Sequence, residues 1–480
     1  MNLIAGERVG SVDGRTYERE NPADPSILIG AFPDSAPPDA RRAARAAREA
    51  FAAWAAASAQ HRAEIITTAA GLLRERRADI AGKLTAEEGK PLVRAEGEVL
   101  RAAEALTYFA HGALRVAGQT IPSTRPGVVL STYVEPLGPF LAITPFNFPL
   151  FVTALKLGPA LASGNTVVWK PSPHVPLVSI ALAAAFTDAG LPGGVLNLVM
   201  GGTAELGRSL VDEPDIVGVS FTGSTAVGLD VGRRAAGRHI RAQQEMGGKN
   251  VLVVTADCDI RRAAEIACES SFGESGQKCT ASGLVVVDKR RGDEFLAETE
   301  RILGGMTMGD GADPATDLGP LVDRGAVSRA DRLLDQAVES GAVSELAGCG
   351  RSTANGNGYF FAPRVLRLPE GDNVLKRQET FAPVLAVALA DDVIEDGLAM
   401  ARDSQMGLSA AILTNSLDLA HEFVRRVPTG LVNVNLPTTG VEYRAPFGGW
   451  NLSGGPFPEA GDRAHEFYTR SKTVAASGVL

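Results

Sequence analysis

Cys279 lies in GESGQKCTAS, a run of small and turn-forming residues that leaves a thiol accessible, and the adjacent Lys278 favours the thiolate electrostatically. A thiolate in such a place is a nucleophile, although a lone cysteine is equally often a small buried hydrophobe, and this setting leaves both readings open. Glu245 stands in QQEMGGKN, where two glycines let backbone approach closely and leave the room a general base needs; a Glu before Gly-Gly is also a common turn or helix-end residue. Asn147 stands in TPFNFP, between two prolines that limit the backbone and two aromatics that exclude water. Its amide is suited to a developing oxyanion, the alternative being an Asx turn. FTGSTAVG (221–228) follows an apolar run and opens a helical one, so its backbone N–H groups are available to a pyrophosphate, though it departs from GxGxxG. Lys170 ends NTVVWK before Pro171 and projects from a carboxyl edge, where open parallel sheets bind ligands; strand-end lysines are otherwise solvated.

Such groups act together only if the fold converges them. ARRAARAAREAFAAWAAASA (40–59) predicts a helix whose Arg41, Arg45 and Arg48 form a solvated stripe, and further helices are expected over 63–84 and 94–112. The Pro/Gly-rich GQTIPSTRPG (118–127) is a connector. Beyond it, short β-branched runs alternate with Ala/Leu-rich ones, as in PFLAIT, TALKLGPALAS, NTVVWKP and LVSIALAAAFTDAG, which predicts a parallel sheet covered on both faces. A strand over 216–221 leads through a Gly/Ser turn into a helix, and EMGGKNVLVVT begins a second alternating region. Two α/β domains divided near residue 247 follow. The terminal HEFYTRSKTVAASG reads as an edge strand that needs a partner.

With 480 residues, 45% of them hydrophobic, the chain has ample material for two or three packed domains, which excludes a mainly disordered protein. A formal net charge of −9 argues against nucleic acid or an anionic membrane surface as a main partner. Four cysteines without a CxxC pair fit a reducing cytoplasm, with Cys258, Cys268 and Cys349 structural or incidental. The six histidines lack HxxxH or HExxH spacing, so no metal site is expected, and neither is an export signal or a membrane span.

In order along nearly the whole chain, TPFNFP, KPSP, FTGS, EMGGKN, GQKCTAS, ETFAP (379–383) and PFGG (446–449) closely resemble the NAD(P)-dependent aldehyde dehydrogenases. The interval of 34 residues from Glu245 to Cys279 fits that family, as does Lys156 nine positions after Asn147. The resemblance implies Cys279 as nucleophile, Glu245 as base for the hydrolytic water, Asn147 as oxyanion donor and Lys156 as proton relay. It further implies NAD or NADP held by Lys170 and Glu379 at the riboses, Phe381 beside the nicotinamide, and Ser224 at the pyrophosphate. Thr144, Pro145, Phe146, Ser172, Gly223 and Gly228 complete the expected coenzyme wall. The implied architecture is a Rossmann-like coenzyme domain (1–117 and 137–246), an α/β catalytic domain (247–446) and a small β oligomerisation arm with the C-terminal segment (118–136 and 447–480). A homodimer or homotetramer would be usual.

Many relatives read KPxE, whose acidic residue repels a 2′-phosphate; here that position is Pro173, so NADP is expected to be accepted. GQTIPSTRPG and VNLPTTGVEYRAPFGG look most like the α-ketoglutaric semialdehyde dehydrogenase branch, whose substrate carries a distal carboxylate, with Arg125 and Arg444 as possible partners. Succinate semialdehyde specificity is disfavoured, because Leu155 and Glu274 occupy the two positions where that branch places arginines. Phe146, Phe148, Phe151 and Phe272 leave an apolar aliphatic or aromatic aldehyde as the alternative. A dehydrogenase that acylates coenzyme A would not need Glu245, and a non-catalytic binding protein would be expected to have lost Cys279 or Glu245.

Overall fold

A computed structural model of the protein describes residues 1–354 and 356–477; residues 478–480 of the expected C-terminal segment lie outside that range. Two seven-stranded sheets dominate. In the first, the parallel strands Arg241–Glu245, Gly218–Thr222, Phe140–Ile143, Val167–Lys170 and Leu196–Leu198 lie side by side in that order, and Asn2–Ile4 and Glu7–Val9 extend the edge antiparallel. The chain runs outward from Phe140–Ile143 in one direction and returns to its other side with Gly218–Thr222. This reversal makes a topological switch point, and TPFNFP and FTGS both leave from it.

The second sheet runs Val343–Ala347, Arg364–Arg367, Val384–Ala390, Ser282–Asp288, Asn250–Val254, Ser409–Leu413, Leu431–Val434, all parallel except the first. Its central strands, VLVV, LVVV and VLAVALA, are buried on both faces, as the apolar runs require. A separate antiparallel sheet joins Thr469–Ser477 to Val128–Pro136 and Thr120–Pro122.

Helix Leu92–Ala113 buries Ala95, Val99, Ala102, Leu106 and Phe109 at three-and-four spacing against Phe151–Ala162. Gly158 lets the two approach, since a Cβ there would stand 2.8 Å from the Phe109 ring. Three expectations are adjusted. The helix expected over 63–84 is two, Ala59–Glu75 and Arg77–Glu88, broken at Arg76 where φ −91° and ψ 14° leave the helical region. The strand expected over 216–221 is Gly218–Thr222. The terminal strand begins only at Thr469, since His465–Tyr468 forms a helical turn whose Phe467 and Tyr468 pack on Phe140.

Candidate active site

The carboxyl edge of the first sheet faces the amino edge of the second across a cavity of about 950 Å³, large for a small-molecule site. Thr144, Pro145, Phe146 and Asn147 line it from the loop after Phe140–Ile143, and Gly223 and Ser224 from the turn after Gly218–Thr222. Glu245 comes from the end of its strand, whereas Cys279, Glu379 and Phe381 come from loops entering Ser282–Asp288 and Val384–Ala390. The fold thus collects into one space residues that the sequence distributes over more than two hundred positions.

Cys279 is partly exposed to this cavity. Enclosure by protein, helped by the charges of Glu379 and Glu245, pushes its thiol up to about 12, so the resting sulfur is protonated. The expected help from Lys278 is corrected: its ammonium turns to the Glu269 carbonyl at 3.1 Å, and burial lowers its own pKa to about 8. Before the nucleophile, Glu274, Ser275 and Gly276 all take left-handed conformations, with φ of 55°, 53° and 71°. Phe381, across the cavity, does the same at 51°. Left-handed backbone costs a non-glycine residue roughly 1–2 kcal/mol, and residues held in it cluster at functional sites.

Asn147 is buried, and its side-chain amide donates to the carbonyl of Gln277 at 2.8 Å, two residues before the thiol. Glu245 is buried as well: one carboxyl oxygen accepts from the Gly449 N–H at 3.3 Å, and Oε1 has no partner. Burial, reinforced by the like charge of Glu459, raises the Glu245 pKa well above the usual carboxylate range, against the opposing pull of Lys156. Lys156 donates to Ser220 at 2.9 Å and ion-pairs with Glu459, so it reaches Glu245 through space and not by direct contact. Glu459, fully buried in FPEAGD, is the site residue that no motif announces.

The coenzyme wall offers a cradle. Ser224 caps the helix Thr225–Gly237 without a side-chain hydrogen bond, which leaves the first N–H groups available, as a pyrophosphate requires. Glu379 accepts from the Gly248 N–H at 3.3 Å and is raised to about 7 by burial; a Cβ on Gly247 would lie 2.2 Å from the Glu379 carboxylate, so a larger residue there would displace that side chain. Phe381 packs edge-on against Phe146, and Ser172 and Pro173 close the far end.

Lys156, Lys170, Gly228, Arg125 and Arg444 do not line the cavity, and neither does Phe272, which is buried in the core around the second sheet. Lys170 bonds the Pro171 carbonyl at 3.2 Å, and Gly228 is needed for packing, because a Cβ would strike the Met246 sulfur at 2.4 Å. Arg125 is exposed in the turn between Thr120–Pro122 and Val128–Pro136, and Arg444 lies exposed over the Tyr443 ring. The substrate end is instead walled by Phe148, Phe151, Val152, Leu155 and Val441, together with Arg94 and Arg101. Arg94 is occupied by Glu269 in a two-pronged pair, at 2.8 and 3.1 Å. Arg101 lies over the Phe151 ring at 4.6 Å, donates to the Val441 carbonyl, and has no acidic partner among the described residues.

Comparison with known proteins agrees with this geometry. The model of the aldehyde dehydrogenase family matches residues 9–474. An alpha-ketoglutaric semialdehyde dehydrogenase of Bacillus subtilis is 35% identical, over 99% of this chain and 97% of that protein. An alpha-ketoglutarate semialdehyde dehydrogenase of Haloferax volcanii is 38% identical, over 98% of each. A crystal structure of an Escherichia coli NADP-dependent enzyme aligns with a TM-score of 0.94 at 32% identity, over 99% of this chain and 98% of that one.

Proposed function

Because the chain belongs to the aldehyde dehydrogenase family and is an NAD(P)-dependent oxidoreductase acting on aldehydes, we propose that Cys279, Asn147 and Glu245 carry its chemistry and that its substrate is a semialdehyde bearing a distal carboxylate. The observation that carries this reading is the convergence of a thiol, a side-chain amide and a base with a free oxygen on one cavity. The Cys279 thiol releases its proton to water in the cavity, the thiolate so formed adds to the aldehyde carbon, and the Asn147 amide, with the Cys279 backbone N–H, holds the resulting oxyanion. Bound NAD or NADP supplies a hydride acceptor. Collapse of the adduct expels hydride from that carbon and leaves a thioester on Cys279. Glu245 then takes a proton from water, hydroxide adds to the thioester, and the acid departs as the thiol is regenerated. The proton leaves Glu245 toward Lys156 and Glu459, the buried pair whose charges already bear on it.

Arg101 supports the carboxylate tail, since a guanidinium without an acidic partner beside Phe148, Phe151, Leu155 and Val441, where the neighbouring Arg94 is already paired with Glu269, matches such a group. The test compares initial rates of NADP reduction with α-ketoglutaric semialdehyde, succinic semialdehyde, a medium-chain aldehyde and benzaldehyde. A kcat/KM for the keto acid semialdehyde at least about tenfold above the others is expected. Arg101→Leu should lower that kcat/KM about 10–100-fold, the worth of a charge-assisted hydrogen bond, and leave benzaldehyde almost untouched. Equal loss for both substrates would remove Arg101 from the tail pocket.

Pro173 lines the cavity where an acidic residue would repel a 2′-phosphate, so NADP is a coenzyme of this protein on our reading. In parallel titrations the kcat/KM for NADP should equal or exceed that for NAD; an NAD advantage above about tenfold would rule the reading out. The same proposal includes a coenzyme domain over 1–117 and 137–246, a catalytic domain over 247–446 and an arm over 118–136 with the C-terminal segment, in line with the two seven-stranded sheets and the separate three-stranded one. Val129 and Tyr133, exposed on the arm, support assembly as a homodimer or homotetramer. Four free cysteines fit a reducing cytoplasm.

A further inference from the structure

Beneath the Asn147 loop lies an ionic cluster that the chemistry above does not use. Lys90, Glu88 and Glu98 have side chains no more than 2% exposed. Lys90 follows Gly89, which ends the helix Arg77–Glu88 at φ 85° in a turn that presses against Pro320. The turn sends the ammonium inward. There Nζ donates to Glu98 Oε2 at 2.5 Å and to the backbone carbonyl of Asn147 at 2.6 Å, approaches Glu88 at 3.3 Å, and stands 4.2 Å from the centre of the Phe148 ring. The other oxygen of Glu98 accepts the N–H groups of Leu150 at 2.9 Å and Phe151 at 3.2 Å, capping the helix Phe151–Ala162. One lysine and one glutamate therefore hold both ends of the segment 147–151.

A buried ion pair is costly to form, and apolar residues of similar volume would serve stability as well or better, so packing alone does not account for this one. What an apolar substitute cannot do is fix a backbone carbonyl and two N–H groups at once. We propose that Lys90 and Glu98 are positioning residues for the oxyanion site: they lock the backbone of Asn147 so that its side-chain amide points at the thiol-bearing loop. The proposal rests on the reading of Asn147 as oxyanion donor. Burial raises the Glu88 pKa well above the usual carboxylate range, against the opposing pull of Lys90.

The test is a double-mutant cycle read by single-turnover hydride transfer at saturating aldehyde and coenzyme, with melting temperature recorded beside it. Asn147→Ala alone should slow the step about 10²-fold, the loss of one oxyanion donor. Glu98→Gln should slow it about tenfold and Lys90→Met about 10²-fold, with KM for the aldehyde changed less than about threefold. In the Asn147→Ala background either substitution should cost less than about twofold more, because the group they orient is gone. Equal losses in both backgrounds would overturn the positioning role, as would a Glu98→Gln variant that melts earlier but transfers hydride at the native rate. Should Lys90→Met fail to fold, the nearly isosteric Glu98→Gln decides alone. An Asn147→Ala variant of native rate would instead remove the oxyanion reading, and this one with it.

Discussion

Cys279→Ser is expected to abolish aldehyde oxidation, by at least about 10⁴-fold in kcat, without loss of coenzyme binding. The thiol is already pushed up to about 12, and a serine hydroxyl in the same enclosure would be harder still to ionise and a weaker nucleophile once ionised. No other sulfur can substitute. Cys258 and Cys268 are buried, with thiols raised to about 11 and 12, and Cys349 does not line the cavity. Stopped-flow absorbance of the reduced coenzyme checks the loss, and coenzyme titration by protein fluorescence checks that the site survives. Residual turnover above about one part in a hundred, free of native enzyme, would move the nucleophile elsewhere.

Glu245→Gln separates the two halves of the reaction. Hydride leaves before water is needed, so one equivalent of reduced coenzyme per active site should appear in a burst, followed by a steady state slowed about 10²–10⁴-fold, the usual worth of a general base. The isotopically labelled aldehyde should remain on Cys279, visible as a mass increase on the intact protein. In the native enzyme the raised pKa of Glu245 fixes the sign of the pH dependence: the base works deprotonated, so kcat falls as pH drops through a value well above the ordinary carboxylate range. Glu459→Gln removes a like charge, so that acid limb should shift to lower pH. A steady state that falls together with the burst would place Glu245 in the first half instead.

Cys279, Glu245 and Asn147 could be singled out in the sequence because each sits in a short segment of small, turn-forming or restricted residues, as Glu245 does in EMGGKN, and the three line one cavity. The alternation of strands and helices was legible for the same reason: periodicity is a local property. What escaped was long-range. Arg94, Glu98 and Arg101 recur at helical spacing, and nothing in the sequence distinguishes that stripe from a solvated face; only the packing of Leu92–Ala113 on Phe151–Ala162 brings Arg94 and Arg101 to the cavity and Glu98 beneath the Asn147 loop. Arg125 and Arg444 failed for the converse reason, since proximity in sequence to a motif says little about direction in space. Glu459 reaches Lys156 across 303 positions, a distance no motif spans.

The run of left-handed residues at Glu274, Ser275 and Gly276 makes the loop that carries the thiol the least contented piece of backbone near the cavity. Its shape is imposed from outside, by the Ser275 hydroxyl on the Gly319 carbonyl and by the tight seat of Gly276 against Ala382. If those neighbours loosen, the loop has a lower-energy shape to fall into while both sheets stay intact. On warming, or in mild denaturant, the protein would therefore fall silent as an enzyme before it comes apart as a structure, and a preparation that still looks folded need not still be active.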